Sequence, residues 1–170
     1  MSLKIAILTI SDRSFSGERE DKSGPVLNET VQNAGWDTTT TSVIPDDIEE
    51  IVTTLSSWAD SGEHNVILTT GGTGFTSRDV TPEATRIVID RDAPGLAEAM
   101  RMASLQITPH AMLSRAVAGI RKSTLIINLP GSPKAALENF RIILPVLPHA
   151  VQMLEDDKKA EDNHQRPLAA

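Results

Sequence analysis

Two aspartates and two glycine-containing turns are the residues of this 170-residue chain whose types and spacing could carry chemistry. Asp46 follows a threonine-rich run, and Asp79 ends the stretch GGTGFTSRD before a capped helix start. Carboxylates beside loops that can bind phosphate suit Mg²⁺, whose shell is completed by water and substrate phosphates. The pattern predicts metal-assisted phosphoryl or nucleotidyl transfer, with Asp46 and Asp79 as catalytic and metal-binding residues.

The glycine-rich stretch matches neither standard phosphate-loop formula. A Walker loop needs Lys and then Ser or Thr after its last glycine, and here Phe75 follows Gly74. The dinucleotide fingerprint needs a third glycine where Ser77 stands. A strand-to-helix turn without a ligand therefore stays open, although the neighbouring Arg78 and Asp79 favour an anion or metal site.

A second turn, LPGSPK at residues 129–134, also joins an apolar strand to a helix. The N-terminus of that helix offers free N–H groups, together with Ser132 and Lys134. A turn without a ligand remains an equal alternative, because Pro and Gly form turns generally. Asp47, with Glu50 three residues on, is predicted to cap the next helix, which leaves Asp46 free to face Asp79.

Apolar runs and helical periodicity predict how these residues are brought together. We expect strands at 4–10, 36–44, 65–70 and on both sides of 121–123, and helices at 25–35, 45–62, 83–92, 95–106 and 134–154. The last helix contains Pro145 and Pro148, at either of which it could bend. This order predicts a three-layer αβα sandwich with a mostly parallel sheet and one antiparallel strand pair. The loops after Ile10, Ile44, Thr70 and Leu129 should then meet at one edge of the sheet.

Composition narrows the class of protein. A net charge of −7 argues against broad binding to nucleic-acid phosphates, and the lack of cysteine excludes disulfides and thiolate chemistry. No run approaches a membrane span and the N-terminal apolar run is too short for a signal peptide, so we expect a cytoplasmic protein. We expect one domain over residues 1–155 and a flexible charged tail over 156–170.

Five separated motifs occur in an order that resembles one known family. They are TISDR…GEREDKSGP, IPDD, LTTGGTGFTSRDVTPEAT, MLSRAVAGIR and LIINLPGSPKA, which lie between residues 9 and 135, and the resemblance runs from about residue 4 to residue 154. They resemble the MogA-type molybdopterin adenylyltransferases and the G domain of gephyrin. The intact RDVTPEA is more similar to this branch than to the related MoaB-type branch, which often differs there.

The resemblance implies that residues 1–155 form a single molybdopterin- and nucleotide-binding domain with the fold of molybdenum cofactor biosynthesis proteins. It also implies Mg²⁺- and ATP-dependent adenylylation of molybdopterin, with release of pyrophosphate. Catalytic and metal-linked roles then fall on Asp46 and Asp79. From the motifs and the resemblance together, the residues expected to bind nucleotide or pterin are Ser11, Asp21, Gly71, Gly72, Thr73, Gly74, Arg78, Ser104, Ser114, Arg115, Asn128, Pro130, Gly131 and Ser132.

The implied nucleophile is the terminal phosphate of molybdopterin, which is already anionic and needs no general base. Family members are commonly trimeric, so a homotrimer is expected, with hand-over of the product to a molybdenum insertase as a further expectation. Two alternatives stay open. One is a non-catalytic molybdopterin-binding protein, MoaB-like or a scaffold, and the other is a different nucleotide-dependent phosphotransferase on the same layers.

Overall fold

Strands and helices alternate along the chain, as the alternating apolar and amphipathic segments predict. A computed structural model describes residues 2–155. Its strands are β1 (Lys4–Ile10), β2 (Asp37–Ile44), β3 (Val66–Thr70), β4 (Arg91–Asp92), β5 (Ala118–Arg121) and β6 (Thr124–Leu129). Its α-helices are α1 (Asp12–Phe15), α2 (Ser23–Asn33), α3 (Ile48–Ser61), α4 (Thr81–Val88), α5 (Pro94–Leu105), α6 (Pro133–Ile143) and α7 (Leu147–Leu154). Two short 3₁₀ helices span Pro109–Leu113 and Leu144–Val146.

The six strands form one sheet in the order β2-β1-β3-β6-β5-β4. β1 pairs in parallel with β2 and β3, and β3 pairs in parallel with β6. The predicted antiparallel pair is β5 with β6, and the two-residue β4 extends it along β5. The structure confirms the predicted three-layer fold with a mostly parallel sheet.

Alternate side chains of the strands face two different helix layers, as the two-residue period of a strand requires. Ile5 and Ile7 pack in a core with α2, α5, α6 and α7 on one face of the sheet. Ala6 and Leu8 pack in a second core with α3 and α4 on the other face. The central strands are therefore buried on both sides, which explains their continuous apolar sequence.

The carboxyl ends of four strands meet at one edge of the sheet, as predicted. Ile10 at the end of β1 pairs with Ile44 at the end of β2, and Thr9 pairs with Thr70 at the end of β3. Thr70 in turn pairs with Leu129 at the end of β6. β2 and β3 lie on opposite sides of β1, so the order in which strands are added to the sheet changes direction between β1 and β3. α/β proteins bind ligands at such positions.

Three of the predicted helices lie within three residues of those observed at each end, and the other two differ more. The helix expected over 83–92 begins at Thr81 and ends at Val88, because Asp90 N–H donates to Ile120 O at 2.8 Å and Ala93 N–H to Ala118 O at 2.9 Å. Backbone pairing with β5 replaces the last helical turn there. The long final helix is divided into α6 and α7 by a 3₁₀ turn that contains Pro145, one of the two predicted bend positions.

The predicted tail over 156–170 lies outside the described residues, so its flexibility stays a prediction. Within residues 2–155, none of the helices combines the length and apolar character that crossing a membrane demands.

Candidate functional site

A cavity of about 780 Å³ lies at the carboxyl ends of β1, β2 and β3. The turn after β6 forms part of its wall. It brings together nine of the residues predicted to act or bind, namely Ser11, Asp21, Asp46, Gly71, Gly72, Arg78, Asp79, Gly131 and Ser132. The strand order therefore gathers residues from four separated motifs into one site.

Gly71 allows the loops of this cavity to touch backbone to backbone. Its φ is 107°, and a Cβ there would lie 2.1 Å from Ile10 O. A Cβ on Gly131 would lie 3.2 Å from Gly71 Cα. The loops after β1, β3 and β6 can approach this closely only because both positions lack a side chain.

Gly72 and Gly74 each lie against one of the two predicted catalytic aspartates. A Cβ on Gly72, whose φ is 63°, would lie 3.1 Å from Asp46 Oδ1. A Cβ on Gly74 would lie 3.0 Å from Asp79 Oδ2. The glycines bring the loop backbone up to both carboxylates, a function that neither phosphate-loop formula describes.

Asp46 is fixed by a reciprocal pair of hydrogen bonds with Asp12. Asp12 N–H donates to Asp46 Oδ2 at 2.8 Å, and Asp46 N–H donates to Asp12 Oδ1 at 2.9 Å. The neighbouring Asp47 caps α3 by accepting from Glu50 N–H at 3.0 Å, which confirms the prediction for that residue. Asp46 Oδ1 forms no hydrogen bond within residues 2–155.

Asp79 is held by its own loop. Its Oδ2 accepts from the N–H of Thr76 at 2.8 Å and from the Thr76 hydroxyl at 2.7 Å. Asp79 Oδ1 forms no hydrogen bond within residues 2–155. Each aspartate thus has one oxygen fixed by the protein and one that the protein leaves available.

The surroundings of Asp46 in the cavity disfavour its ionised form. Burial raises the pKa of Asp46 above its ordinary value, and the charges of Asp12 and Asp79 add to the rise. The guanidinium of Arg78, by contrast, lowers the pKa of Asp12. A cation near Asp46 and Asp79 would relieve the repulsion between the two carboxylates.

The donor set around Asp46 and Asp79 fits Mg²⁺. Mg²⁺ binds to one or two protein carboxylates and keeps water and substrate phosphates as its other ligands. Two available carboxylate oxygens in one open cavity provide this set. Residues 2–155 contain no group of three or more His, Cys, Asp or Glu side chains placed to hold a metal, so a site here would have few protein ligands.

Arg78 is engaged by a residue that sequence reasoning missed. Its Nε donates to Asp12 Oδ2 at 2.9 Å and its Nη2 to Asp12 Oδ1 at 2.8 Å. Arg78 was predicted as a binding residue, and it does line the cavity, but its guanidinium is already hydrogen-bonded to the carboxylate of Asp12. The only sequence signal for Asp12 is its position directly after β1, in the motif SDR.

Asp21 caps helix α2 from inside the cavity. Its Oδ1 accepts from the N–H groups of Ser23 at 2.9 Å and Gly24 at 3.1 Å, and its Oδ2 accepts from the Thr9 hydroxyl at 2.7 Å. Ser23 Oγ then donates to Gly131 O at 2.8 Å. Asp21 therefore satisfies two amides at the N-terminus of α2 and ties them to β1, and the Ser23 hydroxyl ties the helix to the 130–132 turn.

Five predicted residues border a second cavity of about 300 Å³ beside the glycine loop. Its walls also include apolar side chains, Ile107 and Leu113 among them. Asn139 Nδ2 donates to Ser104 Oγ at 3.1 Å, so two polar side chains converge there. The predicted residues at this cavity are Thr73, Gly74, Ser104, Ser114 and Pro130. Sequence reasoning missed Asn139.

Asn128 and Arg115, both predicted to bind ligand, lie outside both cavities. Asn128 is fully buried, donates to the Thr69 and Thr85 hydroxyls at 3.0 and 2.9 Å, and accepts from Val117 N–H at 3.2 Å. Arg115 donates to Gly74 O at 2.6 Å, to Asp79 O and to the carboxylate of Glu83. In this structure, Asn128 joins strands to a helix and Arg115 clamps the glycine loop.

The fold defines an α/β protein with a mostly parallel sheet and a cavity at the switch point of that sheet, where proteins of this class bind ligands. A family model described as "Probable molybdopterin binding domain" matches residues 6–149. The chain belongs to this family.

Molybdopterin adenylyltransferase of Escherichia coli (strain K12) is 42% identical, over 91% of this chain and 86% of that protein. Gephyrin of Dictyostelium discoideum is 45% identical over 92% of this chain. This chain spans about a quarter of the length of gephyrin and of the cinnamon protein of Drosophila melanogaster, 23% and 26% respectively.

The crystal structure of the molybdopterin biosynthesis enzyme MoaB from Thermus thermophilus aligns with a TM-score of 0.86. It is 46% identical, and the alignment covers 91% of this chain and 98% of that one. The family resemblance found in the motifs is thereby confirmed.

Proposed function

We propose that this protein is a molybdopterin adenylyltransferase, which transfers AMP from ATP to the terminal phosphate of molybdopterin and releases pyrophosphate. One observation carries the proposal: Asp46 and Asp79, from different loops, line one cavity, and each leaves one carboxylate oxygen without a hydrogen bond within residues 2–155. Relatives that are 38–46% identical bear this name, and it is their activity that we extend to this chain.

The proposed roles of the side chains follow from their contacts. Asp46 and Asp79 would hold Mg²⁺, which when bound supplies positive charge at the phosphoryl oxygens. The glycine loop would position the nucleotide beside these carboxylates, because its backbone approaches both. An oxygen of the pterin phosphate forms a bond to the α-phosphorus, the bond to the bridging oxygen breaks, and its electron pair leaves with pyrophosphate.

The second cavity is the proposed site of the pterin. It combines apolar walls with the converging Ser104 and Asn139 side chains, as a flat heterocycle with polar edges requires. Gly71 and Gly131 border the first cavity, and Gly74 and Pro130 border the second, so the two ligands would meet across the glycine loop.

The test is to incubate the purified protein with molybdopterin, ATP and Mg²⁺ and to follow pyrophosphate and adenylylated pterin. We expect both products from the wild type. Asp46→Asn and Asp79→Asn should lower kcat at least about 100-fold, because each removes a charge next to the reacting phosphates, while pterin binding persists.

Asp47→Asn is the matched control. Asp47 adjoins Asp46 but caps α3, and Asn caps a helix as well as Asp does, so turnover should stay at the wild-type level. Pterin binding without either product would instead indicate a MoaB-like or scaffold protein. Pyrophosphate release only with another acceptor would indicate a different phosphotransferase.

We further propose that the protein forms a homotrimer. Its support is a patch of exposed apolar side chains between residues 102 and 113, which we call the α5 patch and which consists of Met102, Leu105, Ile107, Met112 and Leu113. Hand-over of the product to a molybdenum insertase and a cytoplasmic location stay predictions from the family resemblance and the composition.

A further inference from the structure

The main cavity is lined by four cationic side chains, and they differ in how they are paired. Arg78 forms a two-pronged ion pair with Asp12. Arg13, Arg19 and Lys22 take part in no ion pair within residues 2–155. Arg19 Nη2 donates only to Ser11 Oγ, at 3.3 Å. Three of the four cations are therefore available to an anionic ligand.

These three cations belong to one segment, residues 12–22, between β1 and α2. The segment closes on itself, since Arg19 N–H donates to Arg13 O at 3.0 Å and Phe15 N–H to Ser11 O at 2.9 Å. This holds Arg13 and Arg19 on the same wall of the cavity as Lys22. The wall is thus a folded loop with fixed backbone contacts.

The acidic residues of that wall compensate the cations only in part. Asp12 is paired with Arg78, and Asp21 accepts from the Thr9 hydroxyl and from two backbone amides at the N-terminus of α2. Glu20, the third acid of segment 12–22 that lines the cavity, forms no ion pair within residues 2–155 and is the acid left to compensate Arg13, Arg19 and Lys22. Asp46 and Asp79, which line the same cavity, come from the loops after β2 and β3.

We propose that Arg13, Arg19 and Lys22 bind the β- and γ-phosphoryl groups of the nucleoside triphosphate, and the pyrophosphate that leaves. The inference rests on the proposed function. Phosphates that are not bridged to a cation at Asp46 and Asp79 are repelled by those carboxylates and attracted to the cations of segment 12–22 that have no carboxylate partner. Arg78 serves instead to hold Asp12.

The proposal predicts a selective effect on polyphosphate binding. Calorimetry with Mg²⁺ would compare ATP, AMP and inorganic pyrophosphate as ligands of the wild type and of R13Q, R19Q, K22Q and the triple variant. Each single change should weaken pyrophosphate and ATP binding about tenfold, and AMP binding by less than about twofold, because AMP lacks the β- and γ-phosphates.

Arg86→Gln is the charge-matched control. Arg86 is exposed on α4 and does not line the cavity, so it reports the long-range effect of losing one positive charge. Its ATP and pyrophosphate affinities should match those of the wild type. The midpoint of thermal unfolding is compared for all variants, and if the triple variant unfolds early the three single variants carry the test.

Two results would overturn the proposal: unchanged pyrophosphate affinity in the folded variants, or an equal loss of AMP affinity. The outcome is independent of the adenylylation assay. If the variants selectively lose pyrophosphate binding and the wild type does not adenylylate molybdopterin, phosphate binding by Arg13, Arg19 and Lys22 is supported and the proposed function is contradicted. If the wild type adenylylates molybdopterin and the variants bind pyrophosphate as the wild type does, the proposed function is supported and phosphate binding by these three cations is contradicted.

Discussion

At the scale of single residues, Asp12 connects three segments that lie far apart in the sequence. It forms hydrogen bonds with Asp46 through its backbone N–H and its carboxylate. Its carboxylate also accepts two hydrogen bonds from the guanidinium of Arg78 in the glycine loop. Arg78 is the direct neighbour of Asp79. Asp12 therefore sets the position of one predicted metal-binding carboxylate directly and of the other through Arg78.

Asp12→Asn should reduce the kcat of adenylylation between about 10-fold and 100-fold, because small displacements of positioned groups are costly in rate. The KM for molybdopterin should change little, since Asp12 does not line the second cavity. Stability should also change little, because Asp12 and Arg78 are well exposed, with 43% and 61% of their side-chain surfaces accessible. Steady-state kinetics and urea unfolding measure these quantities.

Asp60→Asn provides a matched control for the loss of an Asp–Arg pair. Asp60 accepts from Arg121 at 3.0 and 2.7 Å near the start of β6, at the opposite end of that strand from the cavity. Its kcat should equal that of the wild type. A wild-type kcat in Asp12→Asn would show that the pair with Arg78 has no positioning role.

Sequence reasoning identified Asp46, Asp79 and the glycine loop because each follows a predicted strand, and strand ends converge. It missed Asp12 because the bonds to Asp46 and Arg78 cross 34 and 66 positions of the chain. Such pairings depend on which strands are neighbours and on side-chain direction. Neither property is encoded in local residue types.

At the scale of elements, Asn128 connects β6 to β3 and α4. Its fully buried side chain donates to the Thr69 and Thr85 hydroxyls and accepts from the Val117 N–H. The family resemblance places Asn128 among the ligand contacts, while the structure makes it a connector behind the glycine loop.

Asn128→Ala should lower the free energy of unfolding by about 2–4 kcal/mol, because it leaves buried donors and acceptors without partners. Urea unfolding followed by circular dichroism measures this. Asn33→Ala, on the exposed last residue of α2, should change the free energy by less than about 0.5 kcal/mol. Weaker pterin binding with unchanged stability in Asn128→Ala would instead support direct contact with the ligand.

Element boundaries were predictable wherever a local signal marks them. Asp47 marks the start of α3 and Gly62, with φ 72°, marks its end. The end of α4 has no such signal, because residues 89–92 keep helical periodicity in the sequence. Only β5, supplied by residues about 30 positions later, shows that Arg91–Asp92 is a strand. Long-range pairing overrides local propensity there.

At the scale of the whole molecule, the α5 patch lies beside the second cavity. Met102, Ile107 and Met112 are 68%, 63% and 66% exposed, and Ile107 also lines that cavity with Leu113. Burial of this patch between copies of the chain would remove apolar surface from water and cover one side of the proposed pterin site.

Met112→Glu should convert the expected trimer into a monomer, because burial of an unpaired carboxylate in an apolar contact is unfavourable. Sedimentation velocity measures the change, from three times the 18.3 kDa mass of one chain to that mass itself. Ile87→Glu is the control, since Ile87 is 63% exposed on α4, which packs on the opposite face of the sheet. A wild-type that sediments as a monomer, or equal dissociation by both variants, would contradict association through the α5 patch. If the patch covers the second cavity, the monomeric variant should also bind pterin more weakly while its affinity for pyrophosphate stays unchanged.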